Sequence, residues 1–180
     1  MTNVKIRPAL PTDLPRCLAL DPSYTTEAVW QMESRPPHNG QITVAFRSVK
    51  LPRSMRVAYP RDNQLLAAGW QSCDAMLVAD EATGLAGYAA LTKRVPQATV
   101  WINDLVVVKG LRRAGVGSAV LKAAAQWGRD QHLKWLIMEM QTKNYPAINF
   151  CQKHGMSFCG FNDRYFANQD IALFFALALH

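Results

Sequence analysis

Apolar residues separated by single residues predict a series of short β-strands along the chain. Ile42, Val44 and Phe46 show this period of two most clearly, because neighbouring side chains of a strand point to opposite faces. Three of these segments, residues 75–79, 85–91 and 99–108, follow one another through short connections, as is typical of an antiparallel meander. The first connection includes a turn at residues 81–84. The predicted strands are residues 4–7, 41–59, 75–79, 85–91, 99–108, 136–140, 158–161 and 171–179.

A helical period predicts four helices between these strands. The clearest begins at the glycine turn. Its apolar face consists of Val116, Val120, Ala124 and Trp127, which makes it an amphipathic helix. It lies between the strands at residues 99–108 and 136–140, and this strand, helix, strand order predicts a locally parallel strand pair. The other predicted helices are residues 14–20, 26–33 and 147–153.

Composition adds few constraints. A chain of 180 residues with 49% hydrophobic residues is predicted to form one α/β domain, residues 1–180, with a single core. No apolar run is long enough for a secretory signal or a membrane span, so we expect a cytoplasmic protein without a membrane partner. The cysteines are expected to be reduced thiols, and no metal site is expected, because they lack metal-ligand spacing: Cys17, Cys73, Cys151 and Cys159.

The formal net charge of +7 favours an anionic partner. Residues 47–61 carry five basic side chains and no acidic one, which is compatible with an arm that binds nucleic acid. The stretch lacks the exposed aromatic side chains on which bases stack, so a solvated strand edge is the favoured interpretation and nucleic acid is not expected as a partner. The basic residues are Arg47, Lys50, Arg53, Arg56 and Arg61.

The segment VVVKGLRRAGVGSAV, residues 106–120, predicts an anion site. A strand here leads directly into a glycine turn and a helix start, where free backbone N–H groups and the helix dipole favour a phosphate. A Walker A loop is excluded because Val116 and Gly117, not a lysine, precede Ser118. A dinucleotide fingerprint is excluded because it needs a third glycine where Val120 stands.

Two motifs resemble those of the GNAT superfamily of N-acetyltransferases. Arg112-x-x-Gly115-x-Gly117 resembles its acetyl-CoA pyrophosphate loop. The second motif, Asn144-x-x-Ala147-x-x-Phe150 followed by a His-Gly-Met sequence at residues 154–156, stands downstream at the family's distance. Residues 138–163 resemble the streptothricin acetyltransferase branch, and the resemblance covers the C-terminal half of the chain best.

This resemblance implies a fold, a reaction and a set of cofactor-binding residues. The fold would be a GNAT-like mixed α/β domain, with a mostly antiparallel central sheet splayed at the cofactor site and helices on both faces. The reaction would transfer an acetyl group from acetyl-CoA to a primary amine by direct attack. The backbone of Leu105, Val106 and Val107 would hold the pantetheine arm, and Asn144 would contact the cofactor. The pyrophosphate would be held by Arg112, Arg113, Ala114, Gly115, Val116, Gly117 and Ser118.

Three residues are candidates for proton transfer. Glu139 interrupts an apolar strand and is the first candidate for the general base, although a structural glutamate, hydrogen-bonded to a loop or paired with Lys143, is the alternative. Asp104 is the second candidate, and an Asp within a strand can equally mark a bulge. Cys151 stands where many family members carry a tyrosine acid. We expect it to be a buried structural thiol, with water, Tyr145 or Tyr165 protonating CoA instead.

The sequence does not identify the acceptor or the oligomeric state. A streptothricin- or aminoglycoside-like antibiotic, a polyamine, another small amine and a protein amine all fit the scaffold. A homodimer is also left open. Five aromatic residues could line an acceptor pocket or belong to ordinary packing: Tyr24, Trp30, Trp70, Trp101 and Tyr145. The rival functions are a non-catalytic acyl-CoA-binding or regulatory domain and, more weakly, a nucleic-acid binder.

Overall fold

A seven-stranded sheet and a separate two-stranded hairpin organise the protein. The computed structural model describes residues 4–61, 63–82 and 84–180, so Thr83 of the predicted turn at residues 81–84 lies outside the described part. The strands are β1 Lys5–Pro8, β2 Tyr24–His38, β3 Gln41–Val57, β4 Ala75–Glu81, β5 Gly84–Arg94, β6 Thr99–Val107, β7 Trp135–Gln141, β8 Ser157–Asn162 and β9 Ala172–Ala178. The helices are α1 Leu14–Leu18, α2 Asn63–Ser72, α3 Val116–Asp130 and α4 Tyr145–Lys153, with short 3₁₀ turns at Pro11–Asp13, Val95–Gln97 and Lys109–Leu111.

The sheet has the order β1-β4-β5-β6-β7-β9-β8, and β6–β7 is its one parallel pair among the described residues. This confirms the predicted mixed, mostly antiparallel sheet. The parallel pairing joins Thr99 to Trp135 and ends where Ile102 faces Met138. Both strands continue beyond that point, so they separate at their C-terminal ends.

Helices cover both faces of the sheet, as predicted. The larger core lies under α3 and α4 and includes Val120, Leu136 and Ile148. A smaller core on the opposite face contains Cys17 of α1 and packs against Trp70 of α2. Such two-sided burial explains why the central strands are apolar almost throughout.

A β-bulge in β6 changes which residues face each core. Ala90 of β5 pairs with Asp104, whereas the next residue, Leu91, pairs with Ile102. Asn103 is therefore the extra residue, and the alternation of β6 reverses beyond it. In consequence Ile102 contributes to the larger core, while Asp104 points to the side of α1 and α2.

The helix predicted at residues 26–33 is wrong, because this segment belongs to β2. Burial alternates from Tyr24 to Ala28, and β2 pairs with β3 from Tyr24↔Val57 to His38↔Gln41. Apolar residues here fit both periods, and the long partner strand decides between them. Helix α2 was not predicted, although its sequence is rich in Gln, Leu and Ala, which are good helix formers.

The cysteines, the helices and the basic side chains bear on other expectations from the sequence. The four cysteines are free thiols. In the described ranges no helix has the length and apolar character needed to cross a bilayer, and no cluster of His, Cys, Asp and Glu there could hold a metal ion. Arg47 pairs with Glu33 and Arg56 with Asp21, so part of the basic charge on the hairpin is neutralised within the chain.

We expect Gly87→Ala to destabilise the fold. A Cβ at this position of β5 would lie 2.6 Å from the backbone carbonyl oxygen of Val106, which cannot move without disturbing the β5–β6 pairing. The free energy of unfolding should fall by about 1–3 kcal/mol in urea denaturation. Gly69→Ala in α2 is the control, because a Cβ there meets nothing within 4 Å and should leave stability unchanged or raise it by up to about 1 kcal/mol. Equal stability of Gly87→Ala and the native chain would contradict the close approach.

Candidate active site

The separation of β6 and β7 brings two buried carboxylates to one face of the sheet. Asp104 follows the bulge in β6, and Glu139 follows the last paired residue of β7. Their side chains are 8% and 2% exposed. Buried carboxylates require charged or hydrogen-bonding partners, and both have them here.

Arg61 lies between the two carboxylates and contacts both strands. Its Nη1 donates to the backbone oxygen of Asn103 and lies 3.4 Å from Asp104 Oδ1, while its Nη2 forms an ion pair with Glu139 Oε1. Of the two structural alternatives for Glu139, pairing with Lys143 was wrong, because Lys143 pairs with Asp170 at 2.5 Å. A hydrogen bond to a loop is present, from Tyr165 between β8 and β9. Arg61 was grouped with the basic stretch of the hairpin, and nothing in its local sequence indicates a place beside β6 and β7.

Two tyrosine hydroxyls donate hydrogen bonds to the carboxylates. The Tyr59 hydroxyl donates to Asp104 Oδ1 at 2.7 Å, and the Tyr165 hydroxyl donates to Glu139 Oε2. Burial and the nearby Asp104 carboxylate hold the pKa of Tyr59 well above its ordinary value, so this phenol remains a donor. Tyr165 is held in place by edge-on ring contacts with Phe166 and Phe174, with ring centroids 5.2 and 5.4 Å apart.

The glycine turn lies at the start of α3, as predicted. Gly115 is the N-cap residue with a φ of 96°, and it supplies no side chain to cap the helix. The N–H groups of the first helical turn have no acceptor within the helix. They are therefore available to an anion, and the absence of a Cβ at Gly115 and Gly117 keeps the backbone accessible.

The side chain of Arg112 is directed to the protein and not to the anion site. Its guanidinium donates to the backbone oxygens of Val107, Ser23 and Asp21, at 3.0, 2.8 and 3.2 Å. Asp21 also receives Lys109 and Arg56 through its carboxylate. Arg112 thus fastens the turn before α3 to the loop that precedes β2, which leaves the backbone of the turn as the predicted anion site.

The two sequence motifs meet in space. The ring of Phe150 lies over Gly117, since a Cβ on this glycine would be 3.5 Å from the ring. His154 Nε2 lies 2.9 Å from Ser118 Oγ, so the end of α4 touches the first turn of α3. Asn144 is the N-cap of α4 and accepts a hydrogen bond from the N–H of Ala147 at 3.2 Å.

A cavity of about 50 Å³ connects the carboxylate face to the α4 side through the gap between the strands. Arg61, Glu139 and Gln141 line it together with Leu105, Asn144 and Ala147. Tyr59 and Phe166 also line it, whereas the five aromatic residues considered from the sequence do not. The gap therefore joins the place predicted for the pantetheine arm to the candidate base.

Cys151 lies away from the buried carboxylates and from the glycine turn. It is completely buried, and its Sγ lies 3.9 Å from the sulfur atoms of Met138 and Met140. Burial raises the pKa of this thiol to about 12. Its surroundings are those of a structural core residue, as expected.

Comparison with known proteins agrees with the fold and the motifs. Residues 44–156 match the acetyltransferase (GNAT) family model. Streptothricin acetyltransferase of Streptomyces lavendulae is 28% identical over 164 residues, which is 88% of this chain and 84% of the relative. Streptothricin acetyltransferase A of Bacillus subtilis is 40% identical over 53 residues, 29% of this chain and 31% of the relative.

Solved structures show the same fold. Nourseothricin acetyltransferase superposes with a TM-score of 0.85 at 23% identity, covering 99% of this chain and 100% of its own. A Bacillus anthracis protein solved in complex with acetyl coenzyme A superposes with a TM-score of 0.78 at 20% identity, covering 98% and 99% of the two chains. Both confirm the predicted arrangement of sheet and helices.

We expect Arg112→Met to weaken the fold through its three lost hydrogen bonds. Each such bond contributes about 1 kcal/mol, so the free energy of unfolding should fall by about 2–3 kcal/mol in urea denaturation. Arg113→Gln is the matched control, because Arg113 is exposed and its change should stay within about 0.5 kcal/mol. Equal effects of the two substitutions would show that the contacts of Arg112 contribute little.

Proposed function

The chain belongs to the acetyltransferase (GNAT) family, and from this premise we propose that it acetylates a primary amine of a streptothricin-class antibiotic with acetyl-CoA as donor. The names of the relatives that match over most of the chain support this acceptor. The observation that carries the proposal is the gap between β6 and β7, whose cavity reaches from Asn144 and Ala147 at the start of α4 to the buried Glu139 carboxylate.

The residues present fit acetyl-CoA in two places. The uncapped first turn of α3, with its two glycines, offers backbone N–H groups to the pyrophosphate. The edge of β6 beyond Ile102 is no longer paired with β7, so the backbone of Leu105, Val106 and Val107 can accept the pantetheine arm as an additional strand. Asn144 lines the far side of the gap and is the proposed side-chain contact of the same arm.

Glu139 is the proposed general base. Acetyl-CoA supplies the thioester whose carbonyl carbon is attacked. The acceptor amine forms the new C–N bond as the C–S bond breaks, and Glu139 takes the proton that the ammonium must lose, directly or through water. Tyr165 orients the carboxylate through Oε2. Asp104 is the second candidate, but its Oδ1 receives Tyr59 and faces Arg61.

The departing thiolate must be protonated from elsewhere. Cys151 is enclosed by Met138 and Met140, so we assign this step to water or to Tyr145 at the start of α4. Tyr165 is engaged with Glu139 on the opposite face, which makes it a positioning residue for the base.

Purified protein with acetyl-CoA and streptothricin should release CoA thiol and yield an acetylated product of the expected mass. Glu139→Gln should lower kcat by about 10²- to 10⁴-fold, with acetyl-CoA affinity preserved in calorimetry. Asp104→Asn is the matched control, since it removes the other buried charge. A larger loss in Asp104→Asn would transfer the role of base to Asp104. Acetyl-CoA binding without turnover on streptothricin or an amine panel would instead support a non-catalytic acyl-CoA-binding domain.

Cys151→Ala should retain most of the activity, because the thiol is buried and remains protonated at neutral pH. Stability should fall by about 1–2 kcal/mol through loss of core packing, which thermal unfolding will show. Cys159→Ala is the control, because this cysteine is exposed. A loss of kcat greater than about a hundredfold in Cys151→Ala, with folding and acetyl-CoA binding intact, would make Cys151 the general acid.

A further inference from the structure

Arg61 occupies a position that an acceptor amine would need. A general base that removes a proton directly, without an intervening water, must come within hydrogen-bonding distance of it. The Glu139 side chain is 2% exposed, and its two oxygens face Arg61 and Tyr165. An amine can therefore reach this carboxylate only if one of these two partners withdraws.

We propose that Arg61 is an internal counter-ion that fills the ammonium subsite of the acceptor and that the acceptor displaces it from Glu139. This inference rests on the proposed function, whose acceptor is an amine. It makes Arg61 a residue that determines specificity, because only a cation can replace the guanidinium without leaving a buried carboxylate uncompensated.

The geometry of the guanidinium allows such an exchange. Nη1 holds the backbone oxygen of Asn103 and lies beside Asp104, whereas Nη2 serves Glu139. Arg61 can thus release Glu139 while it keeps both contacts on β6. Tyr165 is the less mobile partner, since its ring packs against Phe166 and Phe174 and its hydroxyl can continue to donate to Oε2.

The charge of the cluster also favours a cationic ligand. Two carboxylates, Asp104 and Glu139, share one guanidinium, which leaves one negative charge. Lys143, the nearest cation along the chain to Glu139, is bound to Asp170. A protonated amine would balance the cluster, and on arrival it would free the Oε1 lone pair that must accept its proton.

Arg61→Ala tests this exchange through two simple cations. Guanidinium and methylammonium chloride, at millimolar concentrations far below those that unfold proteins, should each raise the Tm of Arg61→Ala but not that of the native chain. Sodium chloride at equal ionic strength is the control for screening. Stabilisation by neither cation, or by guanidinium alone, would overturn the proposed ammonium subsite, whatever the identity of the acceptor.

Kinetics with streptothricin distinguish displacement from a positioning role. In Arg61→Ala the KM for streptothricin should fall by about tenfold, and guanidinium should inhibit competitively against streptothricin. Restoration of a lost kcat by guanidinium, at unchanged KM, would show that Arg61 only positions Glu139.

Arg61→Lys should fold more readily than Arg61→Ala. Its KM for streptothricin should also be lower than that of the native chain, because one ammonium cannot serve both carboxylates through separate nitrogens. An unchanged or higher KM in Arg61→Lys would contradict displacement. No turnover in the native protein would refute the acceptor, while the Tm result still decides the subsite.

Discussion

The structure depends on the point at which two parallel strands stop pairing. β6 and β7 are joined only from Thr99 to Ile102, and both continue past the last pair. Unpaired backbone in a protein interior is costly unless something satisfies it. The sheet therefore contains a built-in gap that favours a ligand able to complete the hydrogen bonding, and Arg61, Glu139 and Asn144 are among the residues that line it.

The bulge at Asn103 gives the gap two chemically different sides. Without the extra residue, Asp104 would point into the apolar core under α3 and α4, where an ionised side chain would be strongly unfavourable. With it, Asp104 lies beside Glu139 and Arg61, and Leu105 returns to the side of the glycine turn. The acidic cluster and the uncapped start of α3 are thereby held on opposite sides of one sheet.

Local sequence signals were sufficient to predict most of the fold and, within the candidate site, the position of the glycine turn. The strands of the meander, α3 and the glycine turn follow from periodicity and turn chemistry, which act over a few residues. The structure of residues 26–33 does not follow from such signals. Its apolar spacing fits a helix and a strand equally, and the strand that pairs with it is β3. Arg61 shows the same limit at the site. Its position beside Asp104 and Glu139 depends on the path of the connection after β3 along the sheet. The pattern of neighbouring residues does not predict that path.

The attachment of Arg112 to the loop at residues 21–23 links the turn before α3 to the base of the hairpin. The same loop receives Arg56 from β3 and Lys109 from the turn before α3. Binding energies at two positions that share one anchor are reciprocal. Any free energy by which a phosphate orders the turn is thus also available to order the base of the hairpin. The base of the hairpin and the turn before α3 are consequently attached to the same loop, although more than fifty residues separate Arg56 from Arg112 along the chain.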